Sequence, residues 1–189
     1  VTATATASVR SPNAAVLAAA AGCAALVARP LFLRSTTTAV VLFTALLAVG
    51  AMWPATQPLW ARHRASNWRG IAPASAVGLV AFALGRLIGG GHPPTPFAGR
   101  FIALSALAAV AEEAFFRRLV YGALARHGPV AAVAGSTVLF ALAHVTVYGW
   151  WVLPIDLAAG LVLSWQRWST GGWTVPAITH VLANVLVVI

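Results

Sequence analysis

Apolar runs long enough to cross a lipid bilayer recur from one end of this chain to the other, at residues 14–28, 36–53, 71–87, 101–117, 130–148, 152–166 and 173–189. A hydrocarbon core about 30 Å thick is spanned by about 20 helical residues. Lipid offers no partner to an open backbone group, so such runs form helices that close their own hydrogen bonds. With 60% of its 189 residues hydrophobic and 8% charged, the chain has too few polar side chains to cover a soluble globule. An all-α, multi-pass transmembrane helical bundle of about seven helices, plus or minus one, is the predicted fold. The first run is short for a span and Pro73 falls just inside the third, which sets that margin.

The net charge of +9 comes from twelve basic residues, all arginine. They are scattered singly between the apolar runs and form no stripe, which excludes a nucleic-acid partner and reads as topology signalling. With sides alternating, Arg10, Arg62, Arg64, Arg69, Arg118, Arg126 and Arg167 fall on one face and Arg29, Arg34, Arg86 and Arg100 on the other. That asymmetry predicts a cytoplasmic N-terminus. All eight tryptophans fall at or near span ends, the headgroup level that their amphipathic rings prefer. An arginine-only, alanine-rich composition points to the plasma (inner) membrane of a prokaryote. The stretches from Trp60 to Arg69 and from Gly89 to Pro96 read as solvated connections. Cys23 has no second thiol, so neither a disulfide nor a cysteine metal site is available. Ala20-Ala21-Gly22-Cys23 lacks the leucine that starts a lipoprotein cleavage site.

Only three acidic residues exist: Glu112, Glu113 and Asp156. A charged carboxylate at the bilayer centre costs about 2.5–3.5 kcal/mol on insertion scales, so two adjacent ones in an apolar run mark a functional site. Neighbours on a helix point about 100° apart, so the pair does not act face to face. Arg117, four residues after Glu113, predicts an ion pair that makes Glu113 structural. Glu112 has Phe115 and Phe116 at the same offsets, the apolar setting of a general base for water.

Two further segments carry polar side chains in apolar helices. His144 follows Phe140 by four residues, and His180 precedes Asn184 by four, which puts imidazole and carboxamide on one face. Counted from the arginine-rich ends, Glu112 and His144 lie about 21 Å along their helices and Asn184 about 16 Å along its own. His144 or Asn184 taken singly also reads as interhelical hydrogen bonding. Asp156, near a span start, reads as a solvated residue or a helix cap, and His63, His92 and His127 as solvated loop residues. No His-Glu-x-x-His zinc motif, no Gly-x-Ser-x-Gly elbow and no second aspartate is present. For membrane-embedded peptide hydrolysis, glutamate with histidine is what remains.

Glu112-Glu113-x-x-x-Arg117, Phe140-x-x-x-His144 and His180-x-x-x-Asn184, in that order on successive segments, resemble the CPBP family (CAAX protease and bacteriocin-processing, or Abi) of intramembrane glutamic endopeptidases, related to the type II CAAX prenyl endopeptidase. Gly160 to Trp165 and Thr170 to Pro176 resemble the family's helix and turn before its last motif. The resemblance covers residues 101–189, which makes these a catalytic helical core and residues 1–100 an N-terminal set of about three transmembrane helices. It implies that Glu112 activates a water with His144 helping to hold it, that His180 and Asn184 stabilise the oxyanion, and that Arg117 fixes Glu113. The substrate implied is a membrane-associated peptide or protein in the lipid bilayer, with no cofactor. Zinc held by Glu112, His144 and His180, in a metalloprotease-like variant, stays open. Two other classes are carried forward: a noncatalytic protein of the same fold acting in bacteriocin immunity or binding, and a small channel or transporter.

Overall fold

The computed structural model describes residues 12–32, 35–53, 68–88 and 98–188. They form seven helices and no strand: α1 (Pro12–Phe32), α2 (Thr36–Met52), α3 (Trp68–Ile88), α4 (Ala98–Glu113), α5 (Pro129–Tyr148), α6 (Leu153–Thr170) and α7 (Thr174–Val188). Each overlaps one predicted apolar run. The stretches 60–67 and 89–96, with His63, His92, Arg10, Arg34, Arg62 and Arg64, lie outside the described residues.

Local chemistry sets the ends of several helices. Ser35 caps α2 reciprocally: its hydroxyl accepts from the Thr38 N–H at 3.2 Å while its own N–H donates to the Thr38 hydroxyl at 3.3 Å. Gly149, at φ 87°, turns the chain out of α5 in a backbone conformation that side-chain-bearing residues rarely adopt. Trp150 and Trp151 follow on the surface.

The helix that begins with the apolar run at 101–117 continues without interruption to His127, but it does not stay α-helical. After Glu113 it widens into a π-helix, Ala114–Val120, then closes through an α-turn, Tyr121–Leu124, and a 3₁₀ turn, Ala125–His127. π segments are rare and concentrate at functional sites. This one is almost wholly buried, with Phe115, Phe116, Arg117 and Leu119 inaccessible to solvent. It is the hub of the bundle: α1, α2, α5 and α6 all pack against it, while α4 above it packs on α2 and α7. Gly50 lets α2 come that close, since a Cβ there would stand 2.5 Å from the Ala114 carbonyl.

Buried polar side chains tie the remaining helices together. Ser164 on α6 meets Ser136 and Thr137 of α5, each at 3.1 Å. Gln166 donates to the Ala74 carbonyl of α3 and to the Thr179 hydroxyl of α7, each at 2.9 Å. In lipid, where apolar side chains gain nothing by leaving the solvent, such bonds and small-residue packing hold helices together. The outer surface is apolar: Leu17, Leu31, Leu87 and Val130 are all exposed. Asn13–Phe32 and Pro129–Tyr148 are long and apolar enough to cross a membrane, and Thr36–Met52, Gly70–Gly85 and Thr174–Val185 are shorter apolar helices.

Candidate active site

A partly open cavity of about 1160 Å³ lies between the helices, and every one of the seven contributes to its wall. Glu112 (α4), His144 (α5), and His180 with Asn184 (α7) all face it, so residues that are 72 positions apart at the extremes share one space. Most of the remaining wall is apolar, including Phe43, Phe82, Leu104 and Val162.

The two glutamates separate as their helical angle requires. Glu112 is buried yet reaches the cavity, whereas Glu113 is wholly enclosed behind it. Oε2 of Glu113 pairs with Nε of Arg117 at 3.3 Å, the predicted four-residue pair. Oε1 of Glu113 accepts a hydrogen bond from Nδ1 of His180 at 3.0 Å, a partner that spacing along one helix does not reveal. Arg117 also donates to the Gly160 carbonyl at 3.4 Å and lies over the Phe140 ring, 4.8 Å from its centroid. Phe140 therefore sits at the centre, in contact with Phe116, His144 and His180 as well.

The histidine tautomers follow from these partners. A backbone carbonyl only accepts, so Nδ1 of His144 donates to the Phe140 carbonyl at 2.9 Å. That leaves Nε2 of His144 facing Oε2 of Glu112 at 3.7 Å, beyond direct hydrogen bonding. With Nδ1–H of His180 given to Glu113, its Nε2 offers a donor only when the ring is doubly protonated. Asn184 uses one Nδ2 proton on the Ser105 carbonyl of α4 at 3.3 Å, so the interhelical role predicted for a lone asparagine is present here. The second Nδ2 proton is not needed for that bond.

Three sequence readings are corrected. Arg29 is not a topology signal in solvent: it is buried, lines the cavity, and Nη1 donates to Oε1 of Glu112 at 3.2 Å. Arg167 is likewise buried, donating to the Arg117 carbonyl at 3.0 Å with its guanidinium over Tyr121. Asp156 neither caps α6 nor stands in open water. It is on the cavity wall, with Oδ2 3.8 Å from Nδ1 of His144. His127 is exposed, as predicted.

Among the described residues no three His, Cys, Asp or Glu side chains converge as metal ligands. Glu112 and His144 stand together, while Nδ1 of His180 is committed to Glu113.

The family described as type II CAAX prenyl endopeptidase Rce1-like matches residues 94–186, the stretch that carries the three motifs. No curated protein and no solved structure matches the chain.

Proposed function

From the match of residues 94–186 to the type II CAAX prenyl endopeptidase Rce1-like family, we propose that the chain is a member of that family and an intramembrane glutamic endopeptidase. Its substrate is a membrane-associated protein or peptide, and its place is a prokaryotic cell membrane with the N-terminus in the cytoplasm. The observation that carries this reading is the 3.7 Å gap between Oε2 of Glu112 and Nε2 of His144 on a cavity that His180 and Asn184 also face.

A water in the cavity, beside this pair, is held by His144 and loses a proton to Glu112. The electron pair of the broken O–H bond forms a bond to the scissile carbonyl carbon, and the carbonyl π pair moves onto oxygen. Nε2–H of the doubly protonated His180 and the second Nδ2–H of Asn184 donate to that oxyanion. Donors held in place before charge develops supply the largest catalytic term in many hydrolases. As the oxyanion collapses, the C–N bond breaks and Glu112 returns its proton to the leaving nitrogen. One water has been added, and the products are a carboxylic acid and an amine. Glu113 holds His180, and Arg117 balances Glu113.

The test compares protein termini by mass spectrometry in membrane and secreted fractions of cells carrying wild type, Glu112→Gln or His180→Ala at matched expression. New termini in wild type that vanish in both variants identify protease and substrate together. Identical termini in all three, with a wild-type phenotype retained in the variants, leave a noncatalytic binding protein as the working reading.

A further inference from the structure

On one face of α1, Gly22, Leu26 and Arg29 follow at intervals of four and three, the spacing of a single helical stripe. That stripe points into the catalytic helices. A Cβ at Gly22 would overlap the Phe115 ring, Leu26 is fully buried, and Arg29 ends on Glu112. α1 also packs mainly on α5 and on the π segment, with little contact to α2, its neighbour in sequence. The helix is therefore docked against the walls of the site by its own buried face.

We propose that α1 is part of the catalytic centre, with Arg29 as the positioning residue of Glu112. The proposal rests on Glu112 being the base, and it reaches beyond residues 94–186, where the family match lies. Arg29 makes the two carboxylate oxygens unequal: Oε1 accepts from its guanidinium at 3.2 Å, and Oε2 is left toward His144. A carboxylate with only 4% of its surface exposed needs a cation to offset lost hydration. The other guanidinium near the twin carboxylates, Arg117, is engaged by Glu113 and the Gly160 carbonyl. Arginine suits the task, because its planar group keeps its charge when buried and holds a fixed direction.

The test uses the full chain purified in detergent. Melting temperatures of Arg29→Met, Glu112→Gln and the double variant form a cycle. The double variant is expected to lose less than the sum of the single losses, since each single change strands the other charge. Additive shifts overturn the proposal whether or not a substrate is in hand. On a peptide identified by its new termini, Arg29→Met lowers kcat about 10²-fold, the scale on which a misplaced reacting group is penalised. KM stays within about threefold. Arg29→Lys recovers part of the rate, and guanidinium ion at non-denaturing concentration recovers part of it in Arg29→Ala. An unchanged kcat in Arg29→Met, or a loss confined to KM, overturns the proposal while Glu112 keeps its role. Wild type that cleaves nothing overturns the protease reading instead, and the stability cycle still decides whether Arg29 holds Glu112.

Discussion

Nε2 of His144 faces Oε2 of Glu112 across 3.7 Å, while Nδ1 of the same ring is fixed on the Phe140 carbonyl at 2.9 Å. The ring is thus anchored by one nitrogen and open at the other. His144→Ala should lower kcat about 10²-fold, the scale on which a misplaced reacting group is penalised. Steady-state kinetics on the peptide found by its new termini checks this. A kcat that barely changes would remove His144 from the mechanism.

Behind the site, Glu113 and Arg117 are fully buried and paired at 3.3 Å. Removing Arg117 leaves Glu113 with His180 as its one remaining partner, and breaking a buried pair costs up to about 3–5 kcal/mol. Arg117→Met should therefore unfold at markedly lower denaturant than wild type, and Glu113→Gln combined with Arg117→Met should regain part of the loss. Unfolding in detergent, followed by tryptophan fluorescence, reads both. Equal stability of Arg117→Met and wild type would mean that water reaches the pair.

Much of this arrangement was legible in the residues themselves. Run length locates the helices, because lipid penalises every open backbone group, and the pairing of Glu113 with Arg117 follows from helical spacing alone. Arg29 was not legible. An arginine near a helix end carries the same local signal whether it reaches headgroups or a carboxylate 83 positions away, and only the packing of α1 decides. The same holds for Asp156, whose proximity to His144 depends on how α6 returns against α5. The π segment leaves no residue-type signature, since it changes which carbonyl each N–H meets and not the side chains that suit it. Gln166, Ser136 and Ser164 carry the interhelical bonds, yet isolated polar residues of these types are too common to single out.

Asn184 gives one Nδ2 proton to the Ser105 carbonyl at 3.3 Å, and the proposed mechanism gives the other to the substrate's oxyanion. Asn184→Ala removes both, and Asn184→Asp replaces a donor by an acceptor of the same shape. Each should cost about 10²–10³-fold in kcat, the scale of losing one oxyanion donor. Asn184→Asp discriminates: wild-type rates in this variant would show that shape at residue 184 matters and donation does not.

A metal-free mechanism has its own consequence. Glu112 and His144 adjoin, and His180 gives Nδ1–H to Glu113, which leaves its Nε2 uncommitted for an oxyanion or for a metal, so chelation separates the two chemistries. Cleavage by the purified protein should survive prolonged chelation with its rate unchanged. A rate lost to chelator and restored by added zinc would replace water activation by Glu112 with metal chemistry.

The π segment is approached closely by α2. Gly50 of α2 lies directly against its first residues, where a Cβ would meet the Ala114 carbonyl at 2.5 Å and the Phe115 nitrogen at 2.8 Å. Both are backbone atoms, so no side chain can swing away to make room. Gly50→Ala must push α2 outward or shift the helix that carries Glu112, Glu113 and Arg117. Overpacking of this kind costs about 1–3 kcal/mol. Because the obstruction adjoins the site, activity should fall further than stability alone accounts for, measured at a temperature where both proteins remain folded. If Gly50→Ala lost stability and kept full kcat, the close approach of α2 would serve packing only, and the position of Glu112 would be set by α1 and α5.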